Sequence, residues 1–457
     1  MRICFTAVFS LLCLCVCGAQ VEIKIGQPSG QKISERVMGF NIVYCNSPDA
    51  VWATGTLQKE IKGVNPGFLR WPGGTVCTFF HWQHPTGVGW EDSWKPGYAT
   101  PNAPASDFVD IDEYMAIVKA SGAEPLVGVN IESGFLYDRV DEGIKEALAL
   151  MKYCKEKGLK VTYWYMGNEP YQHDCNGGEN TPEQYAEKIN AFAGPMREFD
   201  PSIKLVANWR ACFEREKENY RKLFAIAGKN IDAIDVHNYW AWGNTSWDLW
   251  KSKTPTGVYT GPSYISEVAT FRTMVAEFGY PDTELATLEW NVGPSSRVPA
   301  SRLKPAQAAL VQTEMLMQFM MGGMDFATFW PMFWKGGSSD FRSYYNLKTQ
   351  EMQPIAAIFK VMGGFGGGEL LQCEGKGDRF LSMALRDKAG AIRICALNKN
   401  DLPLDLFFSG LPSGKLSANI HFALSESGDS LREGKAVTTG NLSVKLAPNS
   451  VTILTIK

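Results

Sequence analysis

Two glutamates in this chain close apolar runs. Glu169 ends Tyr163-Trp-Tyr-Met-Gly-Asn-Glu-Pro-Tyr171, fenced between Asn168 and Pro170, and Glu289 sits late in Leu285-Ala-Thr-Leu-Glu-Trp-Asn291. A lone glutamate is ordinarily an exposed or salt-bridged carboxylate. Two that each end a strand-like run can instead face one another across a sugar. A glycosidic bond is cleaved with retention by such a pair, one acid/base and one nucleophile, about 5–5.5 Å apart. The acid must hold a proton at working pH, which asks for an apolar wall or a nearby negative charge. The nucleophile must stay ionised.

The elements around them set the geometry. Candidate strands run over Met38–Tyr44, Gly67–Trp71, Glu124–Asn130, Val161–Gly167, Ile203–Ala207, Ala233–Tyr239, Leu285–Asn291 and Phe326–Trp334. Amphipathic stretches such as Ile111–Ala120, Gly143–Lys157 and Pro182–Arg197 lie between them, the last with Thr181 as N-cap. Eight strands alternating with helices predict an α/β fold, a (β/α)8 TIM barrel over residues 38–362, with reacting groups at the C-terminal strand ends. Glu169 and Glu289 then close the fourth and seventh strands. All 14 tryptophans fall between Trp52 and Trp334. After the turn Gly363–Gly368 the pattern changes to short alternating strands, and residues 363–457 read as an antiparallel β-sandwich domain. Residues 20–37 join it, with Val21–Ile25 as an edge strand. No phosphate-binding glycine loop follows the first strand, which lowers a nucleotide-binding reading.

Arg2 followed by the apolar run Ile3–Val16 and then Cys17-Gly18-Ala19 predicts a signal peptide over residues 1–19, and hence a secreted or periplasmic protein. Cys13, Cys15 and Cys17 raise a lipid-anchored surface form as the alternative. The run is too short to stay as a membrane span. Of the 11 cysteines, seven lie beyond the signal with no CxxC spacing, which speaks against zinc; Cys45 and Cys77 are a candidate pair. A formal net charge of −3 without like-charge runs gives no grip on nucleic acid or anionic lipid. His81-x-x-His84 lacks a third ligand nearby. No metal and no cofactor is expected, and the expected partner is a polysaccharide or oligosaccharide.

Ordered motifs carry a family resemblance. Leu69-Arg-Trp-Pro-Gly-Gly74, Asp112-Glu-Tyr-Met115, Gly122-Ala-Glu-Pro125, Val129-Asn130, Trp164-Tyr-Met-Gly-Asn-Glu169, Asp200–Ala207, Asp235-Val-His-Asn-Tyr239 and Glu289-Trp-Asn-Val292 follow one another along most of the barrel. The chain resembles clan A of the glycoside hydrolases, and within it family 51, the α-L-arabinofuranosidases. The resemblance implies Glu169 as acid/base and Glu289 as nucleophile, with Tyr239 or Arg70 keeping the latter ionised. It implies Asn168 as donor to the hydroxyl next to the anomeric carbon. His237 and Tyr239, two residues apart on one strand, would both face the pocket. Arg70 is an orienting residue or an ion pair beneath the site. Thr75 stands where the family usually has asparagine, and the usual Glu-His pair after the first strand is missing. Both departures lie in the sugar-recognising shell.

Aromatic loops at strand ends suggest platforms for a longer glycan. Phe79-Phe-His-Trp82, Trp90 with Trp94, and the loop Tyr239–Trp250 with four tryptophans are the candidates, and Phe329–Trp334 would floor the pocket. Trp240, Trp242, Trp290 and Trp330 join Thr75 as candidate substrate contacts. The leading expectation is an exported retaining glycoside hydrolase of plant or algal glycans, arabinofuranosidase-like. An endo-acting β-glycanase of the same clan and a catalytically inactive glycan-binding protein are the alternatives.

Overall fold

A computed structural model describes residues 19–84, 89–91, 108–172, 179–256, 261–333, 341–375, 377–411, 415–427, 434–439 and 442–456. Residues 1–18, which hold most of the expected signal peptide, lie outside them, as do Trp94, Cys175 and Trp334.

After β1 (Ala19–Lys32), eight parallel strands close a barrel: β2 (Arg36–Asn41), β3 (Phe68–Trp71), β4 (Glu124–Val129), β5 (Tyr163–Met166), β6 (Lys204–Asn208), β7 (Ala233–Trp240), β8 (Glu284–Val292) and β9 (Phe326–Phe329). Side chains alternate across each strand, so one set fills the lumen and the next meets the helices. Phe68, Leu126, Tyr163, Tyr165, Val206, Ala286, Leu288 and Phe326 pack inside. In Tyr163-Trp-Tyr-Met166 the tyrosines point in, while Trp164 and Met166 join the outer core. The N-terminal mouth is plugged by Glu284, which meets Arg36 at 2.5 Å, Lys204 at 2.9 Å and the Tyr163 hydroxyl at 2.6 Å. The other mouth is left for chemistry. Helices start on local signals: Thr181 and Gln184 form a reciprocal capping box on Pro182–Phe199, and Asp110 with Glu113 does the same for Ile111–Ser121.

The chain then forms a small hairpin, β10 (Tyr345–Asn346) and β11 (Glu351–Met352), and a C-terminal β-domain of β12 (Glu369–Gly375), β13 (Phe380–Arg386), β14 (Ile392–Asn398), β15 (Leu404–Ser409), β16 (Lys415–Ser425), β17 (Gly434–Thr439), β18 (Leu442–Leu446) and β19 (Ser450–Ile456). The order is β17-β16-β19-β14-β13-β12-β1-β15-β18, antiparallel except where β1 runs parallel to β15. Val21–Ile25 is therefore an interior strand, not an edge. Ile23 pairs with Gly375 on one side and Phe408 on the other, which buries it completely. One face of the sheet gathers Ile23, Ile394, Leu406, Leu446 and Leu454 into its own core. The other face presents Met383, Leu385, Cys395, Leu397 and Ile453 to the barrel's core.

The candidate active site

Sequence and backbone together bring Glu169 out of its strand. Gly167 and Glu169 both take positive φ, +72° and +44°, which ends extended geometry after Met166. Glu289 is placed by a different device. Along β7 Asp235 faces Ala286 and His237 faces Glu289, so β8 carries one residue more than its neighbour; the same extra residue appears against β9. A β-bulge of this kind re-aims side chains. Ala286 and Leu288 point into the lumen, and strict alternation would send Trp290 there too. The bulge instead turns Glu289 to the mouth and Trp290 outward, where it packs against Phe319, Phe329 and Phe359. Trp290 is thus a core residue and does not line the site.

At the mouth the two carboxyls converge. Glu169, His237 and Glu289 each offer one polar atom, all within 4.8 Å of one another. Arg70 Nη1 donates to Glu289 Oε1 at 2.9 Å, and the Tyr239 hydroxyl donates to Oε2 at 2.7 Å. Burial, reinforced by the Glu289 charge, holds the Tyr239 hydroxyl well above its usual range, so it remains a donor. Arg70 is wholly buried, stacks over Tyr165 at 4.4 Å, and donates to Asn168 Oδ1 at 2.6 Å and Asn41 Oδ1 at 3.1 Å. With its oxygen so engaged, the buried Asn168 amide has no protein partner for Nδ2. That donor is available to a ligand hydroxyl.

His237 ties the groups together. Nδ1 lies 2.9 Å from Glu169 Oε1 and 3.5 Å from Glu289 Oε2, and Nε2 lies 3.1 Å from Asp235 Oδ2. Burial alone would lower its pKa, but the Glu289, Asp235 and Glu169 charges raise it to about 10. Both ring nitrogens can then donate, as their carboxylate partners require. Burial pushes the Glu289 carboxyl above the usual range, while the His237 and Arg70 charges and the Tyr239 hydrogen bond oppose the rise. The trio of donor atoms has the composition of a cation site, but the Arg70 guanidinium on Glu289 and the charge on His237 both repel a cation. The donor set fits acid–base work instead.

The remaining candidates separate. Thr75 is half-buried in the turn Gly74–Thr78, and Trp330 lies over Gly74, where a Cβ would meet its ring. Trp242 is 47% exposed, edge-on to Tyr239 at 5.1 Å, which puts it at the rim. Trp240 is buried in the outer core. Trp250 is buried as well, its indole donating to Glu314 at 2.5 Å, and Trp247 packs against it. Of the four tryptophans in that loop, only Trp242 remains a platform. Trp82 packs on Tyr153, and His81 pairs with Glu146 at 2.8 Å and stacks on Trp90. Cys77 donates to the Val129 carbonyl at 3.4 Å, and burial pushes its thiol up to about 12; no bond to Cys45 is formed. Asn41, Asn208, Asp235 and Tyr171 were not singled out from sequence. Tyr171 donates to Glu169 Oε1 at 3.4 Å. For Asp235 the signal was present, two residues before His237 on the same strand face.

A parallel barrel with a glutamate after its fourth strand and another on its seventh, joined to a C-terminal β-domain, is a fold shared with solved arabinofuranosidases. In sequence the chain is similar to alpha-L-arabinofuranosidases. A family model, the alpha-L-arabinofuranosidase 1 domain, matches residues 60–245. The chain is 24% identical over 281 residues to the Aspergillus clavatus protein named "Probable alpha-L-arabinofuranosidase C", covering 53% of this chain and 51% of that one. It is 28% identical over 217 residues to an intracellular exo-alpha-(1->5)-L-arabinofuranosidase of Streptomyces lividans, covering 42% and 30%. The chain spans about half the length of the A. clavatus relative, and less of the other. Among solved structures, the alpha-L-arabinofuranosidase of Thermotoga maritima in its arabinose complex superposes with a TM-score of 0.70 at 16% identity, covering 95% of this chain and 99% of that one. The family 51 enzyme of Thermotoga petrophila gives 0.68 at 16% identity, with 96% and 100% covered.

Proposed function

We propose that the protein is a retaining glycoside hydrolase, arabinofuranosidase-like, in which Glu169 is the acid/base and Glu289 the nucleophile. The observation that carries this reading is the pair itself: one carboxyl oxygen of each within 4.8 Å of the other, after the fourth strand and on the seventh, at the C-terminal mouth. That separation matches double displacement, whereas inversion needs about 6.5–9.5 Å to admit a water. Arg70 and Tyr239 engage both oxygens of Glu289, which suits it to the nucleophile's role and leaves that of acid/base to Glu169. Glu289 attacks the anomeric carbon while Glu169 protonates the departing oxygen. Water, deprotonated by Glu169, then releases the sugar and restores both groups. Asn168 Nδ2 donates to the neighbouring sugar hydroxyl.

The substrate in this reading is an arabinofuranosyl-bearing plant or algal glycan, and the N-terminal signal exports the enzyme. Relatives named for intracellular arabinofuranosidases make N-terminal sequencing of the mature protein the test of export. Endo action on a β-glycan is the second reading, favoured by the exposed Trp242 beside Tyr239 and by Thr75 in the sugar-recognising turn. Purified protein on a polysaccharide panel separates them: monosaccharide release supports the first, a product ladder the second. Binding without cleavage would support a glycan-binding protein and sink both. Glu289→Ala should reduce kcat/KM by about 10^4-fold or more with substrate binding retained.

A further inference from the structure

Asp235 touches neither glutamate, yet three of its hydrogen bonds run to the groups that aim them. Its carboxylate is 1% exposed. Oδ1 accepts the Leu288 N–H at 2.6 Å; Oδ2 accepts from Asn208 Nδ2 at 2.8 Å and faces His237 Nε2 at 3.1 Å. Each contact leads to the chemistry. Leu288 lies in the bulge that turns Glu289 to the mouth, where the strand ladder is interrupted and an N–H needs another acceptor. The bulge carbonyl is met in the same way by side chains, Asn41 at 2.8 Å and Thr328 at 2.5 Å. Asn208, held by Asp235, spends its own Oδ1 on the Glu169 N–H at 2.7 Å, at a residue whose φ is +44°. His237, held on its other nitrogen, meets Glu169 Oε1 at 2.9 Å.

We propose that Asp235 is a positioning residue for the whole pair: it holds the Glu169 backbone through Asn208, the Glu169 carboxyl through His237, and the direction of Glu289 through the bulge at Leu288. The inference rests on Glu169 as acid/base and adds a residue that sets where the proton is delivered. A carboxylate suits the position because Asn208 and His237 both present donors to one oxygen while a backbone donor takes the other. An amide cannot serve all three.

Asp235→Asn separates the arms. Asparagine keeps an oxygen for Leu288 and turns an NH2 toward Asn208 and His237, so both Glu169 arms weaken, Asn208 keeping only its 3.1 Å bond to the residue 235 carbonyl, and the bulge persists. On glycosides with poor leaving groups kcat should fall about 10–100-fold, as for other supporting residues around a reactive group. Activated aryl glycosides, which need little proton donation, should lose several-fold less, with KM changed by less than about 3-fold. Equal losses on both substrate types would overturn the proposal, since a merely structural defect does not read the leaving group. Asn208→Ala should show the same dependence, and the double variant should be no worse than Asp235→Asn alone; losses that multiply would count against a shared path. A crystal structure of Asp235→Asn should show Glu169 displaced from His237 with Glu289 still on Arg70 and Tyr239. An unmoved Glu169 would overturn the inference. Should the wild-type protein cleave no glycan, the proposed function fails, and the crystallographic comparison still decides the role of Asp235.

Discussion

At the scale of single residues, the site is an arrangement of charges that neutralise one another out of water. His237 sits between Asp235 and Glu169 with both nitrogens in contact, and Arg70 answers Glu289. This has a consequence for stability. The folded His237 has a pKa of about 10, whereas in an unfolded chain it titrates near 6.5. The folded state therefore binds that proton more tightly. The resulting stabilisation is complete below about pH 6.5 and is lost as pH climbs towards 10. Urea unfolding of wild type and His237→Gln across this window should show the wild-type advantage shrinking with pH. A difference that stays constant would mean His237 is not held protonated. Glu169 and Glu289 were legible because they close strand-like runs, whereas Asn168 came with the family resemblance and Arg70 was left between an orienting residue and an ion pair. Asn208 was not legible, because nothing local distinguishes a supporting polar residue from any other on a strand, and Asp235 was marked only by its place two residues before His237.

Among the elements, β8 decides most. Its bulge converts a period-two strand into one that puts Leu288 and Glu289 on the same side. The tryptophan expectations divided there. Trp290 went into the helix-side core, and Trp242 was left at the rim by the turn after β7, where Ala241 takes φ +54°. Opposite effects follow. Trp242→Ala should weaken binding of a polymeric substrate by about three- to tenfold, the worth of one stacking contact. Its effect on unfolding free energy should stay within about 0.5 kcal/mol. Trp290→Ala should cost about 3–5 kcal/mol in a denaturation experiment, as large buried aromatics do. A stability loss at Trp242 as great as that at Trp290 would contradict the assignment of the rim.

For the molecule as a whole, the β-domain is fused to the barrel through the helix Pro305–Gly322, which is buried on nearly every face. Lys399 of the β14–β15 turn reaches under the Tyr239–Trp250 loop, pairing with Glu314 at 3.1 Å, donating to the Lys253 carbonyl at 2.9 Å and lying over the Trp250 ring. Burial lowers the Lys399 pKa and raises that of Glu314, so each depends on the other for its charge. Lys399→Met should cost about 3–5 kcal/mol by chemical denaturation, the penalty of stranding a buried carboxylate. Double replacement with Glu314→Leu should recover part of it. The sequence by itself determined the eight-strand alternation, the change to short strands after residue 363 and the two glutamates at strand ends, because periodicity and capping act over a few residues. Only the tertiary structure decided which tryptophans face the site, that Val21–Ile25 lies inside the β-domain, and that Asp235 stands behind both glutamates. Those depend on a bulge and on contacts between residues tens to hundreds of positions apart, where local pattern carries no information.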